Sequence, residues 1–194
     1  DGVSFVQTWH GCVYHMTCRG SRRNTVDKAK TIYEDSPEWL AQNMRSTRNF
    51  IRKWGHFVKH DALMKPIVPP KYDTAFRLSN PTKELLHALE PWCSRINVGA
   101  NSDELVNQYI KEEQPNTKID LRTRVNTYDG DSEIVVYING STFTQQDYQV
   151  IQQLSEIIQH NGTIGKFAIG TLEVSIQALN EYQNNLINLK NGQS

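Results

Sequence analysis

The stretch that decides the fold is Glu133-Ile134-Val135-Val136-Tyr137-Ile138. Its β-branched and aromatic residues are enriched in strands, and a short apolar run between turn residues is typical of a strand inside a sheet. A helix is predicted next, over 144–160, because apolar residues recur there on one helical face (Tyr148, Ile151, Leu154, Ile157, Ile158). Asn161-Gly162 are expected to end it in the left-handed conformation. A strand followed by a helix is typical of an α/β unit.

Shorter elements surround this pair. Strands are predicted over 72–78 and 93–98, with a short helix between them that is capped by Thr82 and ends at Leu89. A helix over 101–113 and a further strand over 119–125 come next, and 167–179 is predicted as one strand or a hairpin turned at Gly170-Thr171. Because strands alternate with helices, residues 72–180 are expected to form a small α/β domain, followed by a polar tail over 181–194.

Upstream, prolines make 65–71 extended and predict a linker. A long helix is predicted over 37–54, because Ser36 is a good N-cap, Pro37 suits the first helical position and Gly55 weakens helices. One face of this helix carries a stripe of mainly apolar residues (Leu40, Met44, Thr47, Ile51, Trp54, Val58). Another face carries three arginines (Arg45, Arg48, Arg52). Two interpretations of these arginines remain open: a face that is simply solvated, and a basic binding surface.

Composition narrows the class of protein. The 194 residues include 21 Lys and Arg and 21 Asp and Glu, a balance that argues against a protein dedicated to nucleic acid. The balance conceals a basic segment, because residues 19–65 carry eleven Lys and Arg against five Asp and Glu. We expect no membrane span, since no apolar run approaches about 20 residues. Three cysteines give no disulfide framework and favour a reducing, cytoplasmic location.

A candidate site lies near the start of the chain. Residues 1–17 are predicted to form two strands, and alternation puts His15 on the same face as Val13 and Thr17. A basic loop follows (Arg19, Gly20, Ser21, Arg22, Arg23). Neutral imidazole is a metal ligand, while guanidinium groups and loop N–H groups fit phosphate oxygens. The pattern is suited to holding a metal ion beside an anion.

Three other groups of residues are weaker candidates. His10, Cys12, His15 and Cys18 lack the usual zinc spacing, and in a strand His15 faces away from Cys12. The acidic pair in 129–131 precedes a strand instead of following one, and is better explained as a turn. His56 and His60 are four residues apart and could share a helical face, but such a pair is more often surface or packing.

Here a resemblance adds to the pattern. The stretch Val13-Tyr14-His15-Met16-Thr17-Cys18-Arg19-Gly20-Ser21-Arg22 resembles the end of the catalytic domain of a family-2 glycosyltransferase with the nucleotide-diphospho-sugar transferase fold. The stretch 46–55 is similar to the helix at which the chain leaves that domain. The resemblance implies an α/β fold in which residues 1–64 are the C-terminal remnant of the transferase sheet, followed by the linker 65–71. The small α/β domain, 72–180, then resembles an accessory region attached to some such enzymes.

The same resemblance implies a function. A metal-dependent, inverting hexosyltransferase would move a sugar from a nucleotide-diphospho-sugar donor to a hydroxyl of a glycan or other acceptor. His15 would bind the divalent metal, Mn or Mg. The diphosphate or the acceptor would contact the basic loop (Arg19, Ser21, Arg22, Arg23). The catalytic carboxylate is not identified, and Asp1 is the candidate for the last trace of the acidic motif. Because the nucleotide-binding half is missing from these residues, we expect the isolated chain to be inactive.

Two alternatives remain open. The chain is a non-catalytic interaction module if its basic segment binds a polyanion and its α/β unit binds a partner protein. The stretch 14–23 also resembles the opening of the transposases that act on single-stranded DNA with a tyrosine nucleophile. That chemistry needs two histidines at adjacent same-face positions of a strand, and the sequence has no such pair.

Overall fold

A computed structural model describes residues 37–126 and 132–179 of the chain. The described part falls into two compact units, one that contains residues 37–47 and one that begins at Arg48. Several predictions of the sequence lie outside the described residues: the two strands of 1–17, the acidic pair of 129–131 and the tail 181–194. The candidate site residues of the N-terminal region lie outside them as well (Asp1, His15, Arg19, Ser21, Arg22, Arg23).

The long helix is confirmed. Helix α1 spans Pro37–Trp54 and ends where Gly55, at φ 80°, donates its N–H to the carbonyl of Ile51 over 2.7 Å. A left-handed residue at this place is a common helix ending, and glycine adopts it at little cost. The predicted stripe is only partly buried, because Ile51 is 4% exposed whereas Met44 is 61% exposed and Val58, beyond the helix end, is 73% exposed.

A small hairpin follows α1. Strand β1 (Lys59–His60) pairs antiparallel with β2 (Pro66–Ile67). The turn between them is held by Asp61, whose carboxylate accepts hydrogen bonds from the N–H groups of Leu63 and Lys65 at 2.8 and 2.9 Å. Asp side chains commonly bond to nearby backbone in this way and so stabilise turns.

The second unit is a mixed α/β fold, which confirms the predicted class at this level. In its described residues, six strands form one sheet in the order β5-β4-β3-β6-β8-β7. They are β3 (Thr74–Ser79), β4 (Arg95–Asn97), β5 (Val125–Asn126), β6 (Ile134–Asn139), β7 (Gly165–Ile169) and β8 (Leu172–Ile176). Strands β5, β4, β3 and β6 run parallel, and β7 and β8 form an antiparallel hairpin that pairs with β6. The hairpin alternative for 167–179 is therefore confirmed.

The helices that join these strands in the described part of the chain are α2 (Lys83–Leu89), α3 (Asp103–Glu113) and α4 (Gln145–Asn161). Thr82 caps α2 as predicted, since its hydroxyl accepts the N–H of Leu85 at 3.2 Å. Two predictions were wrong. Most of 119–125 is irregular, with a 3-10 turn (Leu121–Thr123) before the short β5. Gly162 has φ −69°, and a Cβ there would lie 2.5 Å from the carbonyl oxygen of Ile158. Close approach, and not a left-handed turn, therefore requires glycine.

Alternation along the strands gives the sheet two different faces. One face is apolar and almost fully buried (Phe76, Leu78, Ile96, Val136, Ile138, Val174). These side chains belong to one core together with residues of all three connecting helices (Leu86, Leu89, Tyr109, Ile151, Leu154, Ile158). The opposite face becomes polar towards the carboxyl ends of the parallel strands (Arg77, Ser79, Asn97, Tyr137, Asn139). Among the described helices, none is long and apolar enough to cross a membrane.

Candidate functional site

A cleft of about 630 Å³ lies at the edge of the sheet where β3, β4 and β6 end. From β3 the chain continues to β4 on one side, whereas β6 continues through α4 to the hairpin on the other side. The crevice beside such a reversal of strand order is where ligands bind in open α/β sheets. Its volume is also within the range of small-molecule sites. The topology therefore marks this cleft as the candidate site of the second unit.

A row of registered side chains crosses the polar face beside the cleft. Arg77 of β3 lies opposite Asn97 of β4 and Tyr137 of β6, and Tyr137 lies opposite Glu173 of β8. Residues in register on neighbouring strands project from the same face. Arg77 Nη1 donates to the Tyr137 hydroxyl at 3.1 Å, and its guanidinium carbon is 5.2 Å from the centre of the Tyr137 ring. The tyrosine thus holds the arginine in a defined position.

Amide side chains stand at the ends of the same three strands. Asn80 Nδ2 donates to Asn139 Oδ1 at 3.0 Å, and that oxygen also accepts the N–H of Ser141 at 3.0 Å. Asn97 Oδ1 accepts the N–H of Gly99 at 2.9 Å. Asn80 has φ 50°, a left-handed conformation that asparagine tolerates better than most residues. The amides therefore shape the loops as well as lining the cleft.

The loops after β3 and β6 are in direct contact. A Cβ on Gly140 would lie 2.2 Å from the carbonyl oxygen of Asn80, so only glycine allows this approach. The contact keeps Asn80 and Asn139 at hydrogen-bond distance where the paired strands β3 and β6 end. The polar edge of the cleft is therefore assembled before any ligand arrives.

Asp147 holds the β7–β8 turn, which contributes Thr171 to the lining of the cleft. Its carboxylate accepts the N–H and hydroxyl of Thr144 at 2.8 and 2.6 Å. The Thr144 hydroxyl in turn accepts the backbone N–H of Asp147 at 3.2 Å, which completes a capping box at the start of α4. The Asp147 carboxylate also accepts the N–H and hydroxyl of Thr171 at 3.0 and 2.9 Å. Burial alone would raise the pKa of Asp147, but these hydrogen bonds outweigh it and lower the pKa to about 2. Asp147 thus fixes the β7–β8 turn, and with it Thr171, to α4.

Fixed charges in the described lining nearly cancel. Arg77 is its cation and Glu173 its carboxylate. Helix α3 begins at the cleft, after Ser102, but its first turn carries Asp103 and Glu104. These carboxylates oppose the positive end of the helix dipole, which would otherwise attract an anion. The cleft is consequently polar without being strongly charged.

A network of buried ion pairs lies where the end of α1 contacts the α/β fold. Arg52 contacts Glu90 and Glu113 at 2.8 Å each, Arg48 forms two hydrogen bonds with Glu113 at 2.8 and 2.9 Å, and Arg124 contacts Glu90 at 2.5 Å. A solvated face is therefore the wrong interpretation for Arg48 and Arg52, although Arg45 is exposed. Each charge in this network faces an opposite charge, and the network joins the end of α1 to α3 and to the 3-10 turn that follows α2.

The same network shifts the pKa of its members. Burial alone would lower the pKa of Arg52, but the charge and hydrogen bonds of Glu90 and Glu113 outweigh it and raise the pKa. Burial also raises the pKa of the Tyr109 hydroxyl, and the neighbouring Glu90 carboxylate raises it further. Both shifts keep these groups in one protonation state at neutral pH. The network therefore stabilises the packing of the helices and is not the candidate site.

The structure does not place the predicted histidine pair on one helix. Helix α1 ends at Trp54, so His56 lies in the loop with Nδ1 2.6 Å from the carbonyl of Phe57. His60 lies on β1 with Nδ1 3.0 Å from the carbonyl of Asp61. Within 37–126 and 132–179, no group of three or more His, Cys, Asp or Glu side chains is arranged to hold a metal ion.

Sequence reasoning missed the cleft, although a signal was present. Three predicted strands, which the structure shows to be parallel, are followed by polar turn residues, in Ser79-Asn80, Asn97 and Asn139-Gly140-Ser141. Carboxyl ends of parallel strands meet at one edge of a sheet, so these residues were candidates for one site. What the sequence lacked was the strand order that brings them together.

Comparison with known proteins identifies no relative. No family model matches the sequence, and no curated protein or solved structure matches it either. The class of the described part of the chain therefore rests on its geometry alone: it is a mixed α/β unit with a polar cleft at the carboxyl edge of its sheet.

Proposed function

We propose that the α/β unit binds a small polar molecule in the cleft at the carboxyl ends of β3, β4 and β6. The observation that carries this proposal is the convergence of polar side chains from three parallel strands at the reversal of strand order. Arg77, Asn80 and Asn139 are already fixed by hydrogen bonds within the protein. A prearranged site binds with a smaller loss of conformational entropy.

Blocking the cleft tests this proposal. Ala100 is exposed at the cleft, so Ala100→Trp should fill it without disturbing the core. The matched control is Gln159→Trp, an exposed position near the other end of α4. A panel of sugars, nucleotides, amino acids and organic acids is added to labelled full-length chain. We expect at least one compound to shift the side-chain amide resonances of Asn80 and Asn139 in the unchanged protein and in Gln159→Trp, but not in Ala100→Trp. Shifts confined to other parts of the molecule would contradict the proposal.

A second proposal concerns residues 1–64. We propose that they are the C-terminal part of a metal-dependent inverting glycosyltransferase, a cytoplasmic hexosyltransferase acting on a nucleotide-diphospho-sugar. The stretch 13–22 supports this, because it resembles the corresponding part of that family. His15 would bind Mn or Mg, and the basic loop would bind the diphosphate or the hydroxyl acceptor (Arg19, Ser21, Arg22, Arg23). The alternative of an interaction module also predicts binding by the α/β unit, but to a partner protein.

Activity measurements test this second proposal. The 194-residue chain alone should show no sugar transfer, because the donor-binding half is missing from it. In an enzyme completed by that half, His15→Ala should lower the rate about a hundredfold, since one lost charge-stabilising contact costs roughly 3 kcal/mol. Arg22→Lys should lower it less, because lysine lacks the bidentate fork. His60→Ala, at an exposed position of β1, is the control. A His15→Ala enzyme with lower melting temperature but unchanged rate and metal dependence would instead indicate a core histidine.

A further inference from the structure

We infer that the ligand of the cleft is an uncharged, polyhydroxylated molecule, a sugar or polyol; this inference rests on the binding function proposed above. It is carried by two independent features of the site, the cancellation of charge and the type of hydrogen-bonding group at the strand ends. Each is a property of side chains with known positions.

The charge of the lining disfavours an ionic ligand. An anion would meet Glu173 as well as Arg77, and the acidic residues Asp103 and Glu104 in the first turn of α3 offset the positive end of that helix dipole. The Arg77 guanidinium is already engaged with the Tyr137 hydroxyl and ring. A cation would likewise meet Arg77 as well as Glu173, since both belong to the row of registered side chains. A ligand without net charge has no such unfavourable interaction.

The polar groups are of the kind that suits hydroxyls. A hydroxyl both donates and accepts, and an asparagine side chain offers a carbonyl acceptor and two N–H donors. Asn80 and Asn139 use one donor and one acceptor to bind each other, which fixes the direction of their remaining amide groups. Both residues are exposed at the cleft. Ser79 and Thr171 line the cleft as well. Their hydroxyls donate to the carbonyl of Ile138 and to the carboxylate of Asp147, so their oxygens remain as acceptors.

A flat aromatic ligand fits this arrangement less well. Tyr137 is the aromatic residue of the described lining, and the guanidinium of Arg77 lies over its ring. A base stacked on Tyr137 would compete with Arg77 for that ring. Recognition through several hydroxyl groups needs no stacking surface, and it uses the amides directly.

The test varies charge on one sugar scaffold. Glucose, galactose and N-acetylglucosamine are the uncharged probes, and glucuronate, glucose 6-phosphate and glucosamine are the charged ones. Each is titrated into the full-length chain while the amide resonances of Asn80 and Asn139 are followed. We expect at least one uncharged sugar to bind in the cleft, and each charged counterpart to bind at least fivefold more weakly.

Two variants then address the amides. Asn139→Asp preserves the shape of the side chain and the oxygen that accepts the hydrogen bond from Asn80, but it replaces the amide donor of residue 139 with a charged oxygen. It should weaken binding of the uncharged sugar about tenfold. Asn80→Gly suits the left-handed backbone at φ 50° while removing the amide, and it should weaken binding similarly. Asn161→Asp is the control: it makes the same Asn-to-Asp change at the last residue of α4. A helix of that length is about 25 Å long, and the control should have no effect on sugar binding.

The outcomes separate the two proposals. If a phosphate, carboxylate or amine derivative binds in the cleft more tightly than every uncharged sugar, the ligand class is wrong while the binding function stands. The same conclusion follows if a nucleotide or amino acid binds there and no sugar does. If no compound of either panel shifts the Asn80 and Asn139 resonances, both proposals are overturned.

Discussion

Arg52 and Glu90 form a salt bridge from which water is excluded: Arg52 Nη2 lies 2.8 Å from Glu90 Oε2, and neither side chain has exposed surface. Isolated charges in such a place would be very unfavourable. Here Arg124 also contacts Glu90, and Glu113 also contacts Arg52. The network therefore makes the end of α1 part of the α/β unit, because the charges of each element are satisfied only by the others.

Removing the arginine should leave buried carboxylates without their partner. We expect Arg52→Met to lower the free energy of unfolding by about 3–5 kcal/mol, as measured by urea denaturation monitored by tryptophan fluorescence. Arg45→Met changes an exposed arginine of the same helix and should cost less than about 0.5 kcal/mol. The double variant Arg52→Met with Glu90→Gln should be less destabilised than the sum of the single changes. Additive effects would show that the two residues are not coupled.

Asp147 should make stability depend on acid pH. Its pKa is about 2 in the folded protein against 3.8 ordinarily, so its contribution is complete above about pH 4 and is lost as the pH falls towards 2. Asp147→Asn should cost about 1–2 kcal/mol at pH 7, as loss of a cap does, and the difference from the unchanged protein should shrink below pH 4. Asp120→Asn, at an exposed cap of a 3-10 turn, should cost less than about 0.5 kcal/mol. A difference that is constant from pH 7 to 2.5 would refute this role of the Asp147 carboxylate.

Two glycines at the cleft should respond differently to alanine. Gly140→Ala places a Cβ against the carbonyl oxygen of Asn80 and should destabilise the protein by about 2–3 kcal/mol. Gly99→Ala meets no atom within 4 Å but must hold φ 79°, which costs about 1 kcal/mol. Thermal unfolding of both variants checks the order. An equal or reversed order would mean that the loops after β3 and β6 do not make this contact.

The Cys93 thiol should be unreactive in the folded protein. Burial raises its pKa, although the charge of Arg124 opposes this, and the side chain is 7% exposed. In a variant with Cys12→Ser and Cys18→Ser, alkylation by iodoacetamide at pH 8 should be about a thousandfold slower than that of a small free thiol, because it requires opening of the structure. The rate should rise with urea in parallel with unfolding. Rapid alkylation without urea would show that the core around Cys93 is accessible.

Local signals explain why much of the described fold was predicted. Helix α1 and the cap of α2 by Thr82 follow from residues within one or two turns of each other. Strand β6 and helix α4 follow from the period of their apolar residues. Such signals are visible in a single sequence because the interacting residues are neighbours along the chain.

Residues far apart in the chain account for the failures. Arg52 is separated by 38 residues from Glu90 and by 61 from Glu113, so nothing near Arg52 distinguishes it from a solvated arginine such as Arg45. Strand β5 is only two residues long and exists through its pairing with β4. Gly162 is the exception, because the carbonyl that leaves no room for a Cβ belongs to Ile158, only four residues earlier.

The sequence by itself determined that this chain has α/β character, because apolar period and capping residues are local properties of the polypeptide. It also placed polar residues after three strands. Only the tertiary structure decided that β6 lies beside β3 and not beside β5, and this brings Asn139 to Asn80. Strand order depends on pairing between segments about 60 residues apart, and on a shared core that every element must reach. The candidate site consequently depends on the order of the strands in the sheet, and no single stretch of the sequence specifies that order.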